Sequence, residues 1–225
     1  DIIEFYQRYT GKDFTETMLD LSKKFNIEIE VSEEIKRQFK IREIMLKTNS
    51  FVCDFYQNNI NQDALSYYAK RRFDAETIKK WRIGFVPNLT LTQSFANYTE
   101  LFKISNLCYD NGNNYFSTNR ISIPFMDQDG HIVGFTTRAI VDDIKPKYLH
   151  SKASDVFKKD DLLYGFNFAK ASIKESKSVL ITEGQIDCIR AHQFGIENCI
   201  ALSGHALSDK QVTKLKSICK NYYLI

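Results

Sequence analysis

The sequence predicts a mixed α/β fold, a helical and α+β amino-terminal region followed by a parallel sheet, and three observations carry that prediction. From Leu162 onward, helical and strand-like segments alternate at the spacing of βαβ units, which calls for a parallel sheet. Within that stretch Val179-Leu180-Ile181 is a continuous apolar run, as expected of a strand covered on both faces. Upstream, residues 121–126 and 131–136 flank Asp127-Gln128-Asp129-Gly130, an Asp-Gly turn between two β-rich runs and therefore a hairpin. The chain has 225 residues, 43% hydrophobic and 26% charged, enough for one large domain or two modest ones.

Taken in order, residues 1–30 read as helical. Ile2, Ile3, Phe5, Tyr6 and Tyr9 give one apolar face that Gly11 closes, and residues 14–25 repeat the pattern through Met18, Leu21 and Phe25. Ser32 suits the N-cap of a long helix reaching about Asn58, with Ile35, Ile44, Phe51 and Phe55 expected to face inward. Asn58-Asn59 breaks that helix, and residues 64–70 form a shorter one. Asp74 caps the next, with Ile78 and Trp81 packed inward. Residues 83–86 make a brief strand stopped by Pro87, and a helix is expected over about 92–102. Asp110-Asn111-Gly112-Asn113-Asn114 is a loop by its turn chemistry. In the hairpin, Pro124 places its strand at an edge or a bulge. The expected order is then helix 163–176, strand 179–182, helix 185–194, strand 198–202, helix 209–220 and a strand from Tyr222. The two halves are expected to meet near residues 142–165, giving a division into 1–58, 59–160 and 161–225.

The formal net charge is +3 and the pI about 8.5, a balance that neither requires nor excludes nucleic acid. Cys53, Cys108, Cys188, Cys199 and Cys219 are scattered without a C-x-x-C pair, which argues against a zinc knuckle and suits a reducing, cytoplasmic compartment. No apolar run approaches a membrane span and no signal peptide is present. The chain starts at Asp1 without a methionine and stops on Tyr222-Tyr223-Leu224-Ile225, which reads as a fragment cut at both ends.

Three constellations carry chemistry. Glu183 stands at the carboxyl end of the apolar strand, where open parallel sheets gather ligands, and Asp187 follows one helical turn later. Carboxylate oxygens at such a place suit Mg²⁺ or Mn²⁺. Two solvated acids after a strand is the competing reading of the spacing. Arg120, Arg138, Lys145, Lys147, Lys158 and Lys159 are interleaved with Phe135, Tyr148, Phe157 and Tyr164, a composition that neutralises phosphates and stacks on unpaired bases. A solvated face over core aromatics is the ordinary reading of any one of these residues. Leu202-Ser203-Gly204-His205-Ala206 is either a phosphate-binding turn at Ser203 and Gly204 or a plain turn with Gly204 at positive φ. His131, His150 and His192 show no ligand spacing, Cys188 reads as core, and no P-loop occurs.

Thr182-Glu183-Gly184-Gln185-Ile186-Asp187, with Gly195-Ile196-Glu197-Asn198 and Ala201-Leu202-Ser203-Gly204-His205-Ala206-Leu207-Ser208, resembles the Toprim domain, and more narrowly that of bacterial DnaG-type DNA primases. The likeness extends upstream through Asn119-Arg120-Ile121-Ser122-Ile123-Pro124-Phe125, Gly134-Phe135-Thr136-Thr137-Arg138, Pro146-Lys147-Tyr148-Leu149-His150-Ser151 and Leu163-Tyr164-Gly165. It also takes in Ala69-Lys70-Arg71-Arg72-Phe73 through Gly84-Phe85, and the opening residues are similar to the segment that follows the primase zinc ribbon. The resemblance implies that Glu183 is catalytic, that Glu183 and Asp187 hold the metal, and that Arg120, Arg138, Lys147, Lys158 and Lys159 contact template or nucleotide. It implies RNA primer synthesis on single-stranded DNA from ribonucleoside triphosphates, with Mg²⁺ or Mn²⁺ as cofactor and zinc only in a ribbon preceding Asp1. A replicative helicase would be the partner through a further or fused carboxyl-terminal domain, in the cytoplasm of a bacterium or of the host of a phage or mobile element. The rival readings are a Toprim topoisomerase or nuclease and a non-catalytic single-stranded DNA-binding module. Three departures stand out: Thr136-Thr137 where the family has a glycine pair, Asp161 where a basic residue is common, and an end at Ile225 before the family's Asp-x-Asp motif. The last implies that the fragment alone binds metal poorly and is inactive.

Overall fold

The structure, a computed structural model, describes residues 1–10, 14–202, 204 and 206–225, and the side chains of all of these except Arg8, Tyr9 and Glu16. The stop expected at Gly11 lies outside the described residues. Two compact units are present, Asp1–Lys40 and Ile41–Ile225. In the first, helices α1 (Ile2–Thr10) and α2 (Phe14–Phe25) pack together, and the Tyr6 hydroxyl donates to the Asp20 carboxylate at 2.7 Å. Ile2, Phe5, Phe14 and Phe25 of these helices are exposed.

The long helix α3 (Glu33–Asn58) starts at the expected Ser32, whose Oγ accepts from the Ile35 amide. Its buried stripe is not the one expected. Met45, Thr48, Asn49, Val52, Cys53 and Tyr56 are inside, whereas Phe51 is 40% exposed and packs its ring on Phe95 and Tyr98. The reason is a close approach: α3 runs against β1 (Gly84–Val86) so tightly that a Cβ on Gly84 would lie 2.6 Å from the Tyr56 carbonyl carbon. Docking the Val52, Cys53 and Tyr56 face there leaves Phe51 on the side that meets Phe95 and Tyr98. Helices α4 (Gln62–Arg71) and α5 (Ala75–Lys80) follow, capped by Asn61 and by the expected Asp74.

The helix expected over 92–102 is three pieces instead: α6 (Leu91–Ser94), a 3-10 turn (Ala96–Tyr98) and α7 (Thr99–Ile104). Thr90 forms a capping box with Gln93, and Phe95, at φ −145° and ψ 62°, leaves the helical region to put its ring against Phe51, Phe55 and Phe102. Tertiary packing of one aromatic has overridden local periodicity.

Strands β1, β2 (Arg120–Met126), β3 (Ile132–Ala139) and β4 (Tyr148–His150) form an antiparallel sheet in that order. β1 pairs only with residues 120–122 of β2, so at Pro124 the strand has a neighbour on the β3 side alone, and the register shifts between Phe125 and Met126. Both devices that accommodate a strand proline are therefore present. β4 was not expected: it is three residues long, and its Lys/Tyr/His surroundings carry no alternation.

The second sheet is parallel, order β6-β5-β7, built from β5 (Ser178–Thr182), β6 (Cys199–Ala201) and β7 (Asn221–Leu224), with α8 (Phe166–Ser176), α9 (Gln185–Gln193) and α10 (Asp209–Lys216) between and beside them. The helix expected from Leu163 begins at Phe166, because Tyr164 first bridges to Ala201 and Gly165 turns at φ 80°. A Cβ on Gly165 would also meet Trp81 and the Cys188 sulfur at 3.0 Å, so both backbone and space require glycine. Trp81 stacks on Tyr164 at 5.3 Å, and Phe125, Tyr164, Ile186 and Cys188 share one buried cluster with it. One buried cluster thus joins the two sheets, and each sheet also packs on a cluster of its own.

Candidate active site

Glu183 follows the last residue of β5 and is exposed at the carboxyl end of the central parallel strand. The turn beneath it is held by Thr182, 2% exposed, whose hydroxyl lies 3.1 Å from the Gly184 carbonyl and 3.2 Å from the Ile200 carbonyl of the neighbouring strand. Gly184 then caps α9 in an extended conformation, and Asp187, three residues into the helix, folds back over it. Its Oδ2 lies 2.7 Å from the point where a Cβ on Gly184 would stand. Only glycine leaves that space to the carboxylate. The amide-rich start of α9 favours negative charge there. Exposed oxygen donors at a strand end fit a hard divalent cation.

The basic residues occupy the antiparallel sheet and the segment leaving it. β3 and β4 pair Thr136 with His150 and Arg138 with Tyr148, so these four side chains share one face. Arg138 is 9% exposed, donates from Nε to the Tyr148 hydroxyl at 3.0 Å, and lies 5.0 Å from the Tyr67 ring centre. Arg120 is fully buried: its guanidinium donates to Ser117 Oγ at 2.9 Å and to the carbonyls of Pro146 at 2.6 Å and Lys147 at 3.4 Å. Burial lowers its pKa from an ordinary value so high that the charge persists. Arg120 therefore orders the backbone that carries Lys147 rather than reaching outward. Lys147 and Lys158 are exposed, and Lys159 is half-buried, with burial lowering its pKa.

The segment carrying Lys159 is fixed to the parallel-sheet half. Ser208 Oγ donates to the Asp160 carbonyl, Gln211 Nε2 donates to the carbonyls of Leu162 at 2.7 Å and Lys159 at 3.3 Å, and Lys210 pairs with Asp161 at 2.9 Å. The ion pair is exposed and contributes at most about 1 kcal/mol, so the Ser208 and Gln211 bonds set the geometry. Asp161, unexpected as an acid, is thus part of this clamp. Because α10 starts beyond the carboxyl end of β6, which pairs Ala201 with Thr182, Lys159 lies at the same end of the sheet as Glu183.

Gly204 is exposed, while Ser203 and His205 fall outside the described residues. Cys188 is core, as expected, with its sulfur 3.5 Å from the Cys199 carbonyl and its pKa raised by burial. His192 is also core, with Nε2 2.7 Å from that carbonyl and its ring edge-on to Trp81. The structure does bring Asp127, Asp129 and His131 together, their ligand atoms all within 4.8 Å of one another. Asp127 accepts from the amides of Asp129 and His131 and so closes the hairpin turn, a local use that the Asp-x-Asp-x-His spacing could have disclosed. Sequence reasoning also missed Ser117 and Tyr67, and it quoted Gly134 without its packing role. A Cβ on Gly134 would lie 2.7 Å from the Phe157 ring, the side chain just before Lys158 and Lys159.

Residues 51–170, more than half of the chain, match the family described as DNA primase catalytic core, N-terminal domain. The chain belongs to that family. Residues 180–225 of the primase core match a Toprim-like family, a range that takes in the last three residues of β5, Glu183 and Asp187. It is 30% identical over 233 residues to the DNA primase of Aquifex aeolicus, covering all of this chain and 46% of that protein. Among solved structures it is similar to the zinc-binding and RNA polymerase domains of the Aquifex aeolicus primase, with TM-score 0.74 and 29% identity over all of this chain and 57% of the other. A DnaG primase catalytic domain bound to single-stranded DNA superposes with TM-score 0.74 and 26% identity, over 82% of this chain and 61% of that one. The primase core spans less than half the length of the curated relatives it matches. Among its described residues, no helix is long and apolar enough to cross a membrane.

Proposed function

We propose that this primase core forms the catalytic part of a DNA-directed RNA polymerase that makes short primers on single-stranded DNA. The observation that carries the reading is the convergence of Glu183, exposed on a braced turn, with the clamped Lys159 segment at one end of the parallel sheet. In the reaction a ribonucleotide 3′-hydroxyl attacks the α-phosphate of the next ribonucleoside triphosphate and pyrophosphate leaves. Glu183 and Asp187 would hold Mg²⁺ or Mn²⁺, which supplies charge stabilisation at the reacting oxygens. Arg138, Lys147, Lys158 and Lys159 neutralise phosphates of template and nucleotide, with Arg138 held in place by Tyr67 and Tyr148. Arg120 acts through the 146–147 backbone, and the turn at Ser203 and Gly204 is a candidate phosphate contact. The division of labour falls near residue 160, template and nucleotide on the antiparallel half and the acids on residues 161–225. Contact with a replicative helicase and a cytoplasmic setting complete the proposal.

The test is incorporation of labelled ribonucleotides by the full-length protein on single-stranded DNA. Short RNA products that require Mg²⁺ or Mn²⁺ and vanish with a chelator are expected. DNA cleavage or relaxation in their place would support another Toprim activity, and DNA binding without synthesis would mark a binding module.

A further inference from the structure

His150 is the last residue of β4 and lies within electrostatic reach of Lys159. Its Nδ1 is 2.7 Å from the hydroxyl of Thr136, which is fully buried and fixed by its place in β3. Among the described residues, its Nε2 has no hydrogen-bonding partner. The ring shares its face with Arg138 and Tyr148, and Lys159 is near enough to act on it electrostatically. Burial, helped by Lys159, lowers the pKa of His150 to about 4, so the imidazole is neutral at physiological pH. The Thr136 hydroxyl can donate to Nδ1, and in that arrangement the neutral ring carries its proton on Nε2.

We propose that His150 is a nucleotide-binding residue, its Nε2–H donating to a phosphate oxygen of the incoming ribonucleoside triphosphate beside Lys159. This rests on the primase reading above. The chemistry is a division of tasks. Lys159 provides charge without direction, whereas an imidazole pinned at Nδ1 provides one directed donor without a second positive charge to desolvate. The Thr136 hydroxyl pins Nδ1 and leaves Nε2 as the nitrogen that can meet a ligand.

The experiment is a calorimetric titration of the full-length protein with ATP and Mg²⁺, a readout that needs no turnover, set beside KM and kcat for primer synthesis. His150→Ala is expected to raise the ATP Kd and the nucleotide KM about tenfold while kcat changes less than threefold. His150→Gln, which restores an N–H donor near Nε2, is expected to return both to within threefold of wild type. Thr136→Val keeps the ring and removes its anchor, and a Kd rise of about threefold is expected. An ATP Kd unchanged in His150→Ala and Thr136→Val, or losses in Gln equal to those in Ala, would overturn the proposal and leave a cross-strand structural pair. If the alanine variant fails to fold, the Gln and Thr136→Val variants decide it. ATP binding that depends on His150 in a protein that makes no primers would overturn the polymerase reading and leave this site standing.

Discussion

Gly184 shows how one missing side chain sets the position of a candidate ligand. Its backbone is extended, at φ −109°, so any residue could adopt it, and the reason for glycine is the Asp187 carboxylate that occupies the space of a Cβ. Gly184→Ala should therefore leave folding intact and displace Asp187. The expected outcome is a Mg²⁺ requirement for primer synthesis raised about tenfold, with activity recovered at high Mg²⁺; a titration curve matching wild type would show that Asp187 does not serve the metal. At this scale the sequence was partly legible. Glu183 and Asp187 were marked by the strand-turn-helix pattern, and Arg138 by its aromatic neighbours. Arg120 was marked too, but its orientation was not, because a guanidinium bound to backbone carbonyls across 26 residues of chain leaves no trace in local spacing. His150 carried no ligand spacing, since its partners Thr136 and Lys159 come from other elements.

At the level of elements, the antiparallel sheet works as a frame that aims the lysines. Gly134 on β3 admits the Phe157 ring, and Phe157 anchors the segment from which Lys158 and Lys159 project. Gly134→Ala would place a methyl against that ring, an overpacking that costs about 1–3 kcal/mol. Denaturant unfolding should show that loss, and affinity for single-stranded DNA should fall with it as the lysines shift. Unchanged stability would mean that residues 151–157 do not depend on their seat against β3. The hairpin, the alternating parallel half and two helix caps were legible, because Asp-Gly turns, apolar runs and Ser32 and Asp74 act locally. The break at Phe95, the buried face of α3 and β4 were not, since each is decided by a partner distant in sequence.

For the molecule as a whole, the two sheets of residues 41–225 are bound into one body by Trp81, Tyr164 and Phe125 in a common core. That shared core gives the site its function in the proposed account: acids from one sheet and cations from the other must keep a fixed separation during nucleotide transfer. The clamp between Gln211 and the Lys159 segment sets that separation locally. The central claim is that Glu183 acts in the chemical step and not in holding the template. The most direct measurement is primer synthesis by the full-length Glu183→Gln protein, read beside its affinity for single-stranded DNA. The account predicts a fall in kcat of at least a hundredfold with template Kd within twofold of wild type. Primer synthesis at the wild-type rate, or a loss matched by weakened template binding, would contradict it.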